Sequence, residues 1–351
     1  MLNLEFILAG ALVMSLTFYV LTAGADFGAG VWSLLAQGPR AADQRKAISD
    51  AIAPIWEANH VWLILVVTVL FTAFPPAFAL ITTQLHLPLT LLLVGIVLRG
   101  VAFAFRTGDI APSQIGRSKL SQRAHVVLER VFAVSSLVTS ILLGVTIGTI
   151  ASGRLGSTHG GFLDVFVRPW LAPFPLAVGF LALALFAFLA AAYLIVDTTK
   201  QELREDFRRR VLLAATGVWV LALVVFILSI DGAPDIRQGL AHSGSGRACV
   251  MIAGVLGVGA IACLWWRLYR WARFCAAGQA TVILWGWAFA QYPYLIEPNL
   301  TISDAAAPRQ TLLLLLIALL AGALLLFPSL YYFYRVFKPR AIFGESAESG
   351  R

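Results

Sequence analysis

The feature that most limits this chain is the recurrence of apolar runs about as long as a bilayer is thick. Crossing ~30 Å of hydrocarbon takes ~20 helical residues. Such runs recur near 4–35, 52–73, 77–106, 124–150, 165–196, 209–230, 248–270, 275–294 and 309–336. Lipid offers no partner for a backbone N–H or C=O, so only helices or closed barrels span it, and these runs are far too long for barrel strands. Composition agrees, with 60% hydrophobic and 13% charged residues and a mean hydropathy of +0.84. Soluble domains run nearer about half and about a quarter. The prediction is an all-α polytopic membrane protein of about nine transmembrane helices, with short loops and no inserted soluble domain. The opening MLNLEFILAG has no Lys or Arg before its apolar core and carries Glu5, which predicts a retained first span rather than a cleaved signal. Phe74-Pro75-Pro76 predicts a tight hairpin between the second and third spans.

The net charge of +8 is a matter of topology. One set of alternate loops and the C-terminal tail hold 19 of the 26 Lys and Arg: Arg40, Arg45, Lys46, Arg106, Arg117, Lys119, Arg123, Lys200, Arg204, Arg208, Arg209, Arg210, Arg267, Arg270, Arg273, Arg335, Lys338, Arg340 and Arg351. The opposite loops hold Arg154, Arg168, Arg237, Arg247 and Arg309. The positive-inside rule then predicts an outside N-terminus and a cytoplasmic C-terminus. The basic balance does not point to nucleic acid.

Against this apolar background the stretch IAPIWEANHVWLI, residues 52–64, stands out. Counting ~1.5 Å per helical residue from the cytoplasmic ends places Asp26 ~15 Å in, Glu57 ~8 Å, His60 ~12 Å and Arg99 ~10 Å. Four ionisable residues on three consecutive spans thus share one slab, and an unpaired charge there costs several kcal/mol, so mutual pairing is expected. Glu57 and His60 share a helix face, while Asn59 is turned away from both. Glu57 is the acid expected to contact Arg99. Two readings stand side by side: a structural Arg–carboxylate clamp, and a proton-handling or quinone-linked site in which His60 titrates near neutral pH. Trp56 and Trp62 are candidate quinone or lipid contacts, with interface anchoring as the plainer alternative.

Other features read as structure. Cys249, Cys263 and Cys275 have no paired spacing and predict packing residues. KQELREDFRRR, residues 200–210, predicts a solvated loop able to touch anionic lipid. Glu129-Arg130 predicts an interface pair, with Glu129 deep enough to join the cluster. Trp265-Trp266, Trp285, Trp287 and Tyr331-Tyr332 predict interfacial belts. No GxxxxGK motif is present, nor a GxGxxG after a strand, which excludes a nucleotide-driven pump within this chain.

The wording of the motifs goes further than spacing. Ala23-Gly24-Ala25-Asp26-Phe27-Gly28-Ala29-Gly30, then IAPIWEANHVWL, then Phe71-Thr72-Ala73-Phe74-Pro75, then Leu98-Arg99-Gly100-Val101-Ala102-Phe103-Ala104-Phe105-Arg106 follow one another in order. They resemble subunit II of the cytochrome bd-type quinol oxidases, whose patterns are approximately DGFDLG, IAPxWDGNxVWL, FAAFP and RxxxFxxR. Gln291-Tyr292-Pro293-Tyr294-Leu295-Ile296-Glu297-Pro298 resembles that family's turn before the last helix. The resemblance implies a single integral membrane domain over 1–351: a first four-helix bundle about 4–150, and a second bundle with a peripheral last helix about 165–337. It implies a haem-bearing subunit I as partner, with haem b and haem d (or a second b-type haem) held there, none bound by this chain alone, and quinol oxidation coupled to O2 reduction to water. A bound quinone or lipid and a small accessory subunit are further partners it admits, in the inner membrane of a bacterium. The first acid of DGFD is Ala23 here, the Asp of WDGN is Glu57, and Ala104 stands where many members carry an acid, so any proton route in this chain runs instead through Asp26, Glu57 and His60.

Haem ligation by this chain itself needs facing histidines. Only His60 and His86 fall inside spans, at different depths, and His86 reads as a mid-span residue hydrogen-bonded to a neighbour. A stand-alone secondary transporter with a buried charged site is the alternative class.

Overall fold

The computed structural model describes residues 3–52, 56–107, 119–156 and 160–337. Along them run α1 (Leu4–Leu34), α2 (Ala41–Ile52), α3 (Trp56–Ala73), α4 (Pro75–Gln84), α5 (His86–Thr107), α6 (Lys119–Ala151), α7 (Phe162–Phe166), α8 (Pro173–Asp197), α9 (Gln201–Gly232), α10 (Pro234–His242), α11 (Gly244–Trp265), α12 (Tyr269–Gln291), the strands β1 (Tyr294–Ile296) and β2 (Leu300–Thr301), and α13 (Arg309–Phe337). Among the described residues seven helices, α1, α5, α6, α8, α9, α11 and α13, are long and apolar enough to cross a membrane. The bent pair α3–α4 is an eighth if counted as one span. The ninth expected span is α12, of 23 residues but more polar.

Three expectations shift. The third span, expected over 77–106, is split: the chain turns by 118° at Phe74 into α4 and starts a separate helix at His86. Pro75 and Pro76 lack an N–H, so the carbonyls of Phe71 and Thr72 lose their helical donors and α3 ends; the Ala73 carbonyl accepts from Ala307 N–H at 2.8 Å. The fifth expected span is the short α7 followed by α8, which starts at Pro173 where a missing N–H costs nothing. The 200–210 run is the first three turns of α9 rather than a loop.

Helix α1 is central and packs on α3, α6, α8, α12 and α13. With no difference in apolarity between helix and lipid to drive association, close backbone approach through small residues does much of the work. A Cβ on Gly24 would lie 2.8 Å from the Phe186 ring, one on Gly28 1.9 Å from the Phe186 carbonyl oxygen, and one on Gly30 2.4 Å from Ser136 Cβ. Likewise Gly144 and Gly148 of α6 leave no room for a Cβ against Val178, Gly179 and Pro175 of α8. Trp32 closes the α1–α8 seam by donating Nε1–H to the Ala187 carbonyl at 2.7 Å.

The two ends are tied differently. At the hairpin end β1 and β2 pair antiparallel, Asn299 donates to the Leu155 carbonyl at 3.0 Å, and the Gly156 N–H donates to Gln84 Oε1 at 2.7 Å. Gly156 has φ +94°, a conformation that favours glycine. At the other, basic end, side chains tie the start of α2 to α9: Arg40, just before α2, grips Asp206 at 2.9 and 2.7 Å, and Gln44 bonds both Asp206 and Arg210 at 2.8 and 2.5 Å. Arg45 donates to the carbonyl of Ala36, just beyond α1, and pairs with Glu129 at 3.8 Å. Glu129 thus takes part in this basic-end network.

Two outcomes follow from this packing. Gly28→Ala should destabilise by about 1–3 kcal/mol or more, because the contact it creates is with backbone, whereas Gly10→Ala, with nothing within 4 Å of the added Cβ, should be silent; thermal unfolding of the two variants compares them. Glu297, in the β1–β2 connection and only 3% exposed, has its carboxyl pushed up to about 7, first by burial and then by the charge of Asp235. Unfolded, the same carboxyl ionises near its ordinary value, so between about 4.5 and about 7 the unfolded chain binds fewer protons and stability falls as pH rises through that window. Melting curves from pH 4.5 to 8 should show this decline, and Glu297→Gln should flatten it.

Candidate functional site

The centre of the first helices is polar. Arg99, on α5, donates from Nη2 to Asp26 Oδ1 on α1 and from Nε to Ser136 Oγ on α6, the latter at 3.0 Å. Ser136 can accept because its own proton goes to the Phe132 carbonyl at 2.7 Å. The guanidinium also lies over two rings, 4.7 Å from the Phe27 centroid and 5.1 Å from that of Phe132. Arg99 is 1% exposed and Asp26 4%. A planar, weakly hydrated cation that stacks on aromatic faces is the form of positive charge such a site tolerates. Glycines set the spacing: Gly95, one turn before Arg99, would press a Cβ to 2.3 Å from Thr139 Oγ1, so α5 meets α6 at van der Waals distance.

The pair is not fully satisfied. Asp26 Oδ2 is buried with no hydrogen-bond partner among the described residues, and so are the Tyr19 hydroxyl and both polar atoms of the Asn59 amide. Native interiors rarely leave such groups bare, and where they do the group has a function or binds water. His60 reaches the site through its ring, 6.4 Å from the centroids of both Tyr19 and Phe27. Trp62 is 6% exposed, so it is an interior residue and not an interface anchor; it stacks on Phe18 at 4.5 Å.

A 430 Å³ cavity opens beside Asp26. Asp26, Thr22 and Trp62 line one part, and Tyr193, Asp197 and Arg273 another. It exists because the residues facing it at Ala25, Ala29, Ala51 and Ala190 are too short to fill the space between α1, α2 and α8.

Of the expected cluster, the structure brings Asp26 and Arg99 into contact and sets His60 a ring away. Arg99 bonds Asp26; the side chains of Glu57 and Trp56 lie outside the described residues, and the expected Glu57–Arg99 contact with them. Asn59, expected to point away, is fully buried. Ser136 and Tyr19 gave no sequence signal, since Ser and Tyr are ordinary in spans. His86 is not a mid-span residue: it begins α5, with Nδ1 2.8 Å from the Thr83 carbonyl and its ring edge-on to Phe166. Trp265 and Trp266, expected in a belt, are 72% and 70% exposed at the end of α11, but Trp285 bonds Thr17 at 3.1 Å and Trp287 packs between two apolar clusters.

Comparison with known proteins matches this chain to the family model described as cytochrome bd terminal oxidase subunit II over residues 4–337. The putative cytochrome bd menaquinol oxidase subunit II of Bacillus subtilis is 21% identical over 337 residues, covering 91% of each chain. Cytochrome bd-I ubiquinol oxidase subunit 2 of Escherichia coli K12 is 27% identical over 238 residues, covering 64% of this chain and 57% of that one. The fold is that of a chain in the bd oxidase from Geobacillus thermodenitrificans, with a TM-score of 0.78 at 22% identity, covering 96% of this chain and 99% of that one. A family match across nearly the whole length, a shared fold and a buried polar centre assembled from the motif residues agree: the chain belongs to the cytochrome bd terminal oxidase subunit II family.

Proposed function

We propose that this chain is the haem-free companion of a haem-bearing subunit I in a quinol-oxidising, O2-reducing complex of the respiratory chain, and that its Asp26–Arg99 centre holds the first helices together while handling protons. The basic end, by its Lys and Arg content, faces the cytoplasm. Haem b and haem d, or a second b-type haem, belong to the partner, and the electron chemistry with them. This chain's own contribution is positional and protic. No observation favours the transporter alternative.

The observation that carries the protic reading is the bare Oδ2 of Asp26, buried and beside a cavity, while Oδ1 is tied to Arg99. Arg99, itself held by Ser136, fixes the carboxylate; its second oxygen, without a hydrogen-bond partner among the described residues, is left to take up and release a proton. Trp62, with Phe18 against it, forms an apolar wall of the same cavity, which is where a quinone ring or a lipid tail would contact it. The Asp26–Arg99–Ser136 geometry also serves as a clamp, since a buried pair that is broken on one side leaves an uncompensated charge.

Charge-removal variants of the purified two-subunit complex separate the two contributions. Asp26→Asn should lower stability by about 3–5 kcal/mol, because it strands Arg99 in an apolar interior. Combining it with Arg99→Gln should recover much of that loss while removing the titratable carboxyl at position 26. The double variant, with normal haem content, should still consume O2 with quinol more slowly than the parent. Parental turnover in that variant would leave only the clamp.

A further inference from the structure

We propose that the corner where α9, α11 and α12 meet at the basic end is a headgroup site for an anionic phospholipid, with Arg209, Arg267 and Arg270 as the ligands of its phosphate. The corner is separate from the Asp26–Arg99 centre and does not depend on what that centre does.

Helix α11 ends in a closed turn. Leu268 N–H donates to the Cys263 carbonyl at 2.7 Å, and Arg267 N–H to that of Leu264 at 3.3 Å. This pair of bonds puts the residue just past the helix in the left-handed region, where glycine is the usual occupant. Here that residue is Arg267, at φ +60°, and among the described residues it is the one non-glycine with a positive φ. A side chain in that conformation crowds its own backbone. The turn would form more easily with glycine, yet it carries an exposed guanidinium.

Two further cations belong to the corner. Arg208 Nε donates to the Leu264 carbonyl at 3.0 Å, so the start of α9 abuts the end of α11. Arg209 is the next residue, and Arg270 lies in the first turn of α12. Arg40, Arg45, Lys200, Arg208 and Arg273 at this end each have a carboxylate within 3.9 Å. Arg209, Arg267 and Arg270 are exposed and have none among the described residues, so the anion that complements them comes from outside the chain. The planar fork of arginine fits two oxygens of a phosphate at once.

The surface below selects a lipid phosphate over a free one. Arg209 heads a stripe on α9 whose later members Leu213, Val220, Leu223 and Ile227 are exposed apolar residues on one helix face. On α11 the exposed face Met251, Val255 and Val258 ends at Trp265. Trp219 closes the seam between the two helices, since a Cβ on Gly257 would lie 3.0 Å from its ring. The result is a continuous apolar wall for acyl chains. Trp266, Trp271 and Phe274 are exposed at the same turn, with the last two rings 6.2 Å apart, and tryptophan favours the headgroup level of a bilayer.

The test weighs the two-subunit complex by native mass spectrometry after reconstitution with phosphatidylglycerol or phosphatidylcholine. The parent should retain phosphatidylglycerol in preference, and Arg209→Gln and Arg270→Gln should each weaken that retention roughly fivefold. Arg267→Gly is the sharpest variant, because it removes the cation while supplying the residue the turn prefers. Its melting temperature in lipid-free detergent should match or exceed the parent's while phosphatidylglycerol is lost. Equal retention of the two lipids by the parent, or parental retention in all three variants, leaves only an aromatic belt and overturns the proposal. A polypeptide released by the substitutions in place of lipid gives the surface to a protein and overturns it too, as does equal thermal protection of the parent by inorganic phosphate alone. Should Arg267→Gly melt lower, Arg209→Gln and Arg270→Gln, which leave the turn intact, decide.

Discussion

Everything at the centre of this molecule depends on how closely α1 can approach its neighbours. Gly24 and Gly28 let α1 touch α8 backbone to ring and backbone to backbone, and Gly30 lets it touch α6 at Ser136. Gly95 does the same for α5 against α6. Three helices held at that distance place Asp26, Arg99 and Ser136 within hydrogen-bond reach without any long side chain having to stretch. A methyl group at Gly28 or Gly95 would separate the helices by more than the tolerance of a hydrogen bond. The ion pair is therefore a consequence of glycine packing as much as of its own charges. The motif Ala23–Gly30 encodes both at once, since Asp26 lies midway between the two glycines that seat α1 on α8.

The same packing explains why a charge survives there. A guanidinium buried to 1% exposure has three compensations: a carboxylate, a hydroxyl whose own proton is already committed to a carbonyl, and two aromatic faces. Lysine would lose the stacking and the forked geometry together. Asp26 and Phe27 sit on α1, Ser136 and Phe132 on α6, and Arg99 on α5, so the centre senses the relative position of α1, α5 and α6. A shift of any one helix by an ångström opens the network.

Much of this was legible in the sequence, and the limits have physical causes. Depth along a helix follows from counting residues, which is why Asp26, His60 and Arg99 could be assigned to one slab. Azimuth does not: the faces that α1 turns to α8 and α6 are set by its glycines, and nothing in the spacing alone says that Arg99 reaches Asp26. Hydroxyls were invisible because most in these helices merely bond the carbonyl one turn back, as Ser140 and Thr149 do, and Ser136 looks no different until Gly30 and Arg99 are seen beside it. The prolines at 75 and 76 announced a turn, but the second break at Leu85 carries no Pro or Gly of its own, and so the third span was read through it. The helical start of α9 was hidden by its charge; once Arg40 and Gln44 are known to hold Asp206 and Arg210, the charges read as a docking surface.

A clamp and a proton site make opposite demands on the same carboxylate. A clamp is strongest when both oxygens are satisfied, because every buried acceptor left bare costs the protein its hydration. A proton site needs one oxygen whose occupancy can change without dismantling what holds the group in place. On the reading proposed above, Asp26 divides these demands between its two oxygens: Oδ1 is fixed by Arg99, and Oδ2 has no hydrogen-bond partner among the described residues and lies beside a cavity that alanines keep open. Filling that cavity with larger side chains would add apolar contact, and supplying Oδ2 with a donor would remove an unsatisfied acceptor. Four alanines and an unpaired oxygen in the same place forgo both gains, and the cost is accounted for if the oxygen is there to exchange its proton.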